Sequence, residues 1–340
     1  MDINLTIETY EQRLLEQLLN LIEQSKKQVA IQVNSELTLL FWQVGKHINE
    51  YVLQNQRADY GKRIFPTLSI KLQEKYGRNF EEKNLRRMSQ FAEQFGDYKI
   101  VVPLARQLSW SHFLILLPLK NREAQLFYAQ KAVQEAWGKR ELRSQINQKV
   151  FERTTIANSQ LPITETLIAP NIFKDPYFLE FLGLKNDYLE NDLENAILRE
   201  LEQFILELGR GFAFVERQKR MIIDGEDFYL DLLFYHRKLK RLVAIELKIG
   251  KFQTKFKGKM ELYLKWLNRY ERQEGEEAPI GLILCAEASH EQIELLEMHK
   301  DGIIVAEYWT ELPPKHELEA KLHQALLEAK ERIENRRLLE

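Results

Sequence analysis

Residues 231–252 read DLLFYHRKLKRLVAIELKIGKF. Two apolar runs rich in β-branched and aromatic residues flank the basic turn HRKLKR, which is the pattern of a hairpin. Side chains alternate along a strand, so Asp231 shares a face with Tyr229 and Leu233. In LVAIELKI, Glu246 and Lys248 fall on one face with Ala244, while Val243, Ile245, Leu247 and Ile249 take the other. Strands apolar on both faces belong in the middle of a sheet. Pairing the two would bring Asp231 and Glu246 to one side, with Lys248 one pleat away. The competing reading is a plain Glu246–Lys248 salt bridge on a solvated edge, with Asp231 ending the hairpin.

Outward from this stretch, the chain from about Asn191 alternates helix, strand, strand, strand, helix, strand, helix, strand. That order predicts an α/β domain over 191–312 with a mixed central sheet flanked by helices. The helix DLENAILRELEQFILELG carries a core stripe of Leu198, Leu201, Ile205 and Leu208. Glu194 lies four residues before Leu198 on that stripe and should face the sheet, whereas Glu200, Glu202 and Glu207 fall on a solvated side. Residues 313–340 predict a charged amphipathic helix with a thin Leu/Ala stripe, expected to pack across a subunit.

Residues 1–150 are patterned almost entirely as helices. Leu14, Leu18, Leu19 and Ile22, then Leu37, Leu40, Phe41 and Val44, recur at helical spacing. Asn79 or a neighbour would cap a helix bearing Leu85, Met88 and Phe91, and Ser109 or Ser111 would cap the next. Between the halves, 151–190 holds three of the nine prolines (Pro162, Pro170, Pro176) and no sustained periodicity. It reads as a partly packed linker.

Composition sets outer limits. With 340 residues, 44% hydrophobic and 29% charged, the chain suits two ordinary globular domains. One cysteine, Cys285, excludes an intrachain disulfide and a Cys-rich zinc site, and fits a reducing cytoplasm. No apolar run is long enough for a membrane helix, so no membrane partner is expected. The start MDINLTIETYEQRL lacks the basic and apolar regions of a secretory signal. The net charge of −2 says little about polyanions, but residues 236–272 hold twelve Lys/Arg against three Glu, a local balance of +9.

Two or three carboxylates beside a lysine suit a hard divalent cation, Mg²⁺ or Mn²⁺, held by oxygen ligands. Such an ion activates water and neutralises phosphate charge, and the ammonium of Lys248 can stabilise the developing phosphorane. Lys251, Lys255, Lys257 and Lys259 follow directly, placed to neutralise a nucleic-acid backbone. In the first half, Arg78, Lys83, Arg86 and Arg87 cluster where a helix could enter a major groove. His112 and Trp42 read as capping or core residues, and Tyr263 as part of a core stripe.

Asp231 followed by Glu246-Leu247-Lys248 resembles the PD-(D/E)xK nuclease signature. The segments GFAFVERQKRM, DFYLDLLFYHRKLKRLVAIELKIGKF, GKMELYL and GLILC look like the YhcG-type subfamily. VNSELTLLFWQVGKHI, NLRRMSQF, LSWSHFLILL and WGKRELRSQI resemble that family's companion domain. The resemblance implies a helical, winged-helix-like DNA-binding or dimerising domain, then a restriction-endonuclease-like domain. It implies Asp231 and Glu246 as metal ligands with Glu194 completing the acidic cluster, and Lys248 as the catalytic lysine. Gln218 stands where the family has a glutamine of less certain role, and Glu216 stands where a glycine is expected. It further implies Mg²⁺-dependent hydrolysis of DNA in preference to RNA, by a homo-oligomer, in the first place a dimer. The alternative is a non-catalytic DNA-binding or interaction protein that retains the fold.

Overall fold

The computed structural model describes residues 3–54, 58–161, 171–184 and 188–339. The chain divides into two compact units, Met1–Gln148 and Lys149–Glu340. Among the described residues no helix is long and apolar enough to cross a membrane.

The described part of the first unit is all helical: α1 (Ile3–Gln54), α2 (Ala58–Tyr76), α3 (Glu82–Gln94), α4 (Tyr98–Ala105), α5 (Trp110–Leu116), α6 (Arg122–Gln134) and α7 (Lys139–Asn147). The second half of α1 packs on α3, with Phe41, Ile48, Leu85 and Met88 buried between them. Gly45 makes that approach possible, because a Cβ there would stand 1.9 Å from the carbonyl oxygen of Met88. Trp42 is buried and donates its indole N–H to Phe95 O at 2.8 Å. Leu40, expected on the packed face, is exposed.

Asn79 does not cap α3. It sits in a 3₁₀ turn, Arg78–Phe80, and Glu81 takes the N-cap position without a side-chain bond. Ser109 does cap α5, in a reciprocal box with His112. The His112 Nδ1 accepts the Ser109 N–H at 3.2 Å, so its Nε2 carries the proton donated to Trp137 O at 3.1 Å. Burial lowers the His112 pKa and keeps this neutral tautomer. The residue is a structural cap.

The second unit contains α8 (Val150–Asn158), β1 (Tyr177–Phe178), α9 (Glu190–Arg199), α10 (Leu201–Leu208), β2 (Phe212–Ile223), β3 (Glu226–His236), β4 (Arg241–Lys251), α11 (Lys255–Tyr270), β5 (Ile280–Glu287), α12 (His290–Leu295), β6 (Ile303–Trp309) and α13 (Lys315–Leu339). The sheet order is β1-β6-β5-β4-β3-β2, antiparallel from β2 to β4 and parallel from β4 to β1. Residues of β4 alternate between two cores as its period of two demands. Val243, Ile245 and Leu247 join α9 and α10 on one face, while Leu242 and Ala244 join α11 on the other.

Three sequence expectations need correction. The first concerns the described part of 151–190, which is no linker. It supplies α8 and the edge strand β1, which pairs in parallel with β6. Fully buried Arg153 bonds Pro176 O and pairs with Glu207, which also pairs with Lys174 and accepts the Phe178 N–H at 2.9 Å. The second concerns Glu207, expected in solvent, which is therefore the buried anchor of that network. The predicted single helix breaks at Glu200 into α9 and α10, which shifts the helical phase so that Leu193, Ile197, Phe204 and Leu208 form the buried stripe. The third concerns α13, expected to cross to another subunit. It packs within its own unit, with Leu318, Leu322 and Ala329 against Ile156 and Phe178.

Candidate active site

The β3–β4 ladder ends at Leu232↔Ile245, one step before Asp231 would pair with Glu246. There the strands part, and the Asp231 carboxylate replaces the lost ladder bond by accepting the Leu247 N–H at 2.7 Å. Glu246 and Lys248 follow on a strand buried on both faces, at 3% and 7% exposure. Their environment is therefore set by the sheet and not by solvent.

The Lys248 ammonium lies 3.0 Å from Glu246 Oε2, 4.0 Å from Asp231 Oδ2 and 2.9 Å from Leu247 O. Its fourth neighbour is Glu190 at 3.5 Å, from the first turn of α9. A second ammonium, Lys259 of α11, reaches Glu246 at 3.2 Å. Burial raises the pKa of Glu246 and so does Asp231, against the pull of both lysines. Burial likewise raises Asp231, opposed by the Leu247 N–H and by Lys248. For Lys248 burial alone would lower the pKa, but Glu246, Asp231 and Glu190 outweigh it and the net shift is upward. The acids are held in tension, each partly neutralised by a lysine.

Glu194 does turn inward, as expected, at 8% exposure. Its partner is Gln218, whose amide donates to Glu194 Oε2 at 2.6 Å. Burial raises the Glu194 pKa, with that bond opposing. Gln218 lies opposite Asp231, between the pairs Arg217↔Leu232 and Lys219↔Leu230, and adopts a left-handed φ of 46°. A non-glycine residue reaches that region only at some conformational cost, which here aims the amide at Glu194. A cavity of about 580 Å³ separates α9 from β2 and β3, lined by Glu190, Asn191, Glu194 and Asn195 on one wall and Arg217, Gln218 and Asp231 on the other.

The structure thus brings Asp231, Glu246 and Lys248 together and sets Glu194 beside them through Gln218. Among the described residues no three carboxylate, imidazole or thiol groups already converge as a metal cluster, so the expected Glu194–Asp231–Glu246 set is not preassembled. Glu216 is clear of it: it pairs with Lys219 at 3.1 Å, which also holds Glu271 at 2.9 Å.

Of the lysines expected to meet a phosphate backbone, Lys251 and Lys255 are exposed, Lys251 with Glu287 at 2.7 Å and Lys255 beside the Phe256 ring. Lys257 and Lys259 are engaged elsewhere. Lys257 points away on α11 to Asp301 at 2.9 Å and Leu296 O at 2.8 Å, and Lys259 joins the acids. Tyr263 is buried and gives its hydroxyl to Tyr229 O at 2.9 Å. In the first unit Arg78 and Lys83 are exposed and Arg87 is half-buried, while Arg86 is bound to Glu82 at 2.7 Å and stacks on Phe65.

Sequence reading missed Glu190 and Arg217. Glu190 stands one helical turn before Glu194, a spacing that would have placed it on the same wall. Arg217 carries no such signal.

Residues 170–323 match the family model described as "YhcG PDDEXK nuclease domain", and residues 17–153 match the "DUF1016 N-terminal domain". The chain is 32% identical to "Putative nuclease YhcG" of Escherichia coli (strain K12) over 93% of this chain and 95% of that one. The chain belongs to the YhcG family. As a YhcG family member it carries a PDDEXK nuclease domain in its second unit, and the match begins inside the segment that had read as a linker. Among solved structures it is similar to a repair endonuclease from Pyrococcus abyssi, at 25% identity and a TM-score of 0.26 over 38% of this chain and 50% of that one. EndoMS in apo form matches at 18% identity and the same TM-score, over 38% and 49%.

Proposed function

We propose that this protein is a metal-dependent nuclease that hydrolyses DNA phosphodiester bonds at Asp231, Glu246 and Lys248. The observation that carries the reading is the seat of the Lys248 ammonium, between two carboxylates and the Leu247 carbonyl. A cationic group already rests in an all-oxygen cradle, and that donor set fits Mg²⁺ or Mn²⁺. Asp231 and Glu246 would hold the ion, which supplies an acidified water and neutralises charge on the scissile phosphate. Glu194, through Gln218, would orient water or a further ligand from the α9 wall.

Lys248 stays charged in this setting and can donate to the attacking water or to a non-bridging phosphate oxygen. Glu190 of α9 also holds that ammonium, at 3.5 Å. Lys251 and Lys255, with Arg78, Lys83 and Arg87 of the first unit, are the contacts proposed for the DNA backbone. A single buried cysteine and no disulfide suit action in the cytoplasm.

The test is cleavage of plasmid DNA in Mg²⁺ by wild type and by Asp231→Ala, Glu246→Ala and Lys248→Ala. Each variant is expected to lose at least a hundredfold in rate while keeping its circular dichroism spectrum. Variants that cut as well as wild type would sink the assignment. A wild type that binds DNA but binds no Mn²⁺ in calorimetry would point instead to a non-catalytic binding protein.

A further inference from the structure

Glu246 carries two lysines, and they are held very differently. Its Oε2 is shared by the Lys248 ammonium at 3.0 Å and the Lys259 ammonium at 3.2 Å, and Lys259 also approaches Oε1 at 3.4 Å. Lys248 rises from the buried strand β4 with its side chain 9% exposed, and Leu247 O, Asp231 and Glu190 are further oxygen neighbours. Lys259 comes from α11 with its side chain 39% exposed, and Glu246 is the carboxylate it reaches. Its contacts are long beside a firmly made charge-assisted bond, which closes to about 2.7–2.9 Å. The ammonium stands 5.1 Å from the centre of the Tyr263 ring, which is fixed by burial and by its hydroxyl bond to Tyr229 O. An aromatic face steadies an ammonium without fixing its direction. Lys259 has a firm support and a loose grip.

We propose that Lys259 is a displaceable gate on the metal seat: its ammonium covers Glu246 in the free protein and withdraws when a divalent cation binds. On the metal-dependent reading, on which this gate rests, the ion brings two positive charges to a carboxylate that already carries two ammoniums. The less firmly held of them is driven off. Lys248 cannot yield without leaving Glu190 and Asp231 short of their cation. Lys259 gives up one carboxylate, and its exposed side opens to water that rehydrates the charge. Lys257, two residues earlier on the same helix, makes the contrast. It is secured to Asp301 at 2.9 Å, Leu296 O at 2.8 Å and Glu261 at 3.4 Å, away from the acids. The gate keeps a buried carboxylate paired until the ion arrives, and it lowers the affinity for that ion, because binding must first break the Lys259–Glu246 contact.

Titration calorimetry of the full chain with Mn²⁺, in the absence of DNA, reads the gate without any cleavage. Lys259→Met keeps most of the stem and removes the charge, and is expected to bind Mn²⁺ at least about tenfold more tightly than wild type. Lys259→Arg keeps the charge but grips a carboxylate with a fork, and is expected to bind the ion about fivefold more weakly. Lys257→Met makes the same charge change on the same helix and is expected to leave the affinity within about twofold. Circular dichroism of each variant checks the fold, and Lys259→Arg, which keeps Glu246 paired, carries the test if Lys259→Met does not fold. Equal affinities of wild type and Lys259→Met overturn the gate, and so does a Lys259→Arg that binds as wild type does. An equal gain in Lys257→Met overturns it too, because it reveals an effect of net charge alone. Each of these leaves the metal-dependent reading standing. If Mn²⁺ binds neither wild type nor Lys259→Met, that reading falls and the gate falls with it.

Discussion

At the scale of single residues, the second unit buries more charge than its sequence suggests. Asp175 is fully enclosed, with its carboxylate accepting the Glu307 N–H at 3.0 Å and the Gln160 amide at 3.4 Å. Burial pushes its pKa up from 3.8 to about 7, opposed by the Glu307 N–H. An acid whose folded pKa exceeds its unfolded one retains protons in the native state that the unfolded chain has released. Its effect on stability is therefore unfavourable and grows as pH rises from about 3.8 to about 7. Asp175→Asn is expected to flatten the fall in melting temperature between pH 4 and pH 7 and to stabilise the protein by a few kcal/mol above it. An unchanged pH profile would show that Asp175 titrates normally. Of the catalytic candidates, Asp231, Glu246 and Lys248 were legible because a period of two fixes the face of each residue. Glu190 was not, since its reach to Lys248 depends on where α9 crosses the sheet. Lys257 and Lys259 could not be told apart, because a run of lysines does not reveal the helical phase that sends one to Asp301 and the other to Glu246.

At the scale of elements, strand alternation was the most readable signal and helix phase the least. β2 to β6 fall where apolar alternation predicts them, but the break at Glu200 is invisible in a leucine pattern that runs straight through it. That break carries Glu207 into the interior, where it joins α8 and β1 to α10. Burial opposes its ionisation, but Arg153 and Lys174 outweigh this and lower its pKa. Removing one partner from such a network leaves buried charges uncompensated. Glu207→Ala is expected to cost about 3–5 kcal/mol in urea unfolding of the full chain. A loss under about 1 kcal/mol would mean that water reaches Arg153 and Lys174, as at a surface pair.

At the scale of the molecule, the sequence shows two units and their classes, because all-helical and alternating patterns differ over more than a hundred residues each. It misassigns the join. Prolines and broken periodicity in 151–190 look like a linker, yet the short strand β1 and the isolated helix α8 are defined by what they touch: β6, α13 and Glu207. Two residues of strand leave no periodic trace. The same limit hides the bare stretch of α1, where Leu14, Leu18 and Ile22 are patterned like a core helix and yet are exposed among the described residues.

The seat of Lys248 and Lys259 has a consequence for folding. Asp231 and Glu246 face the internal counterions Lys248 and Lys259, so their mutual repulsion is partly offset before any reagent arrives, with Glu190 and Glu194 adding negative charge around them. In proteins whose fold depends on a metal, ligands repel one another until the ion binds, and chelators unfold them. On the proposed reading the fold would not depend on the ion, which would act as a cofactor of the chemistry alone. Addition of EDTA should leave the thermal midpoint unchanged within a degree while it halts cleavage. A chelator-induced drop in that midpoint would show that the two lysines do not offset the repulsion between Asp231 and Glu246.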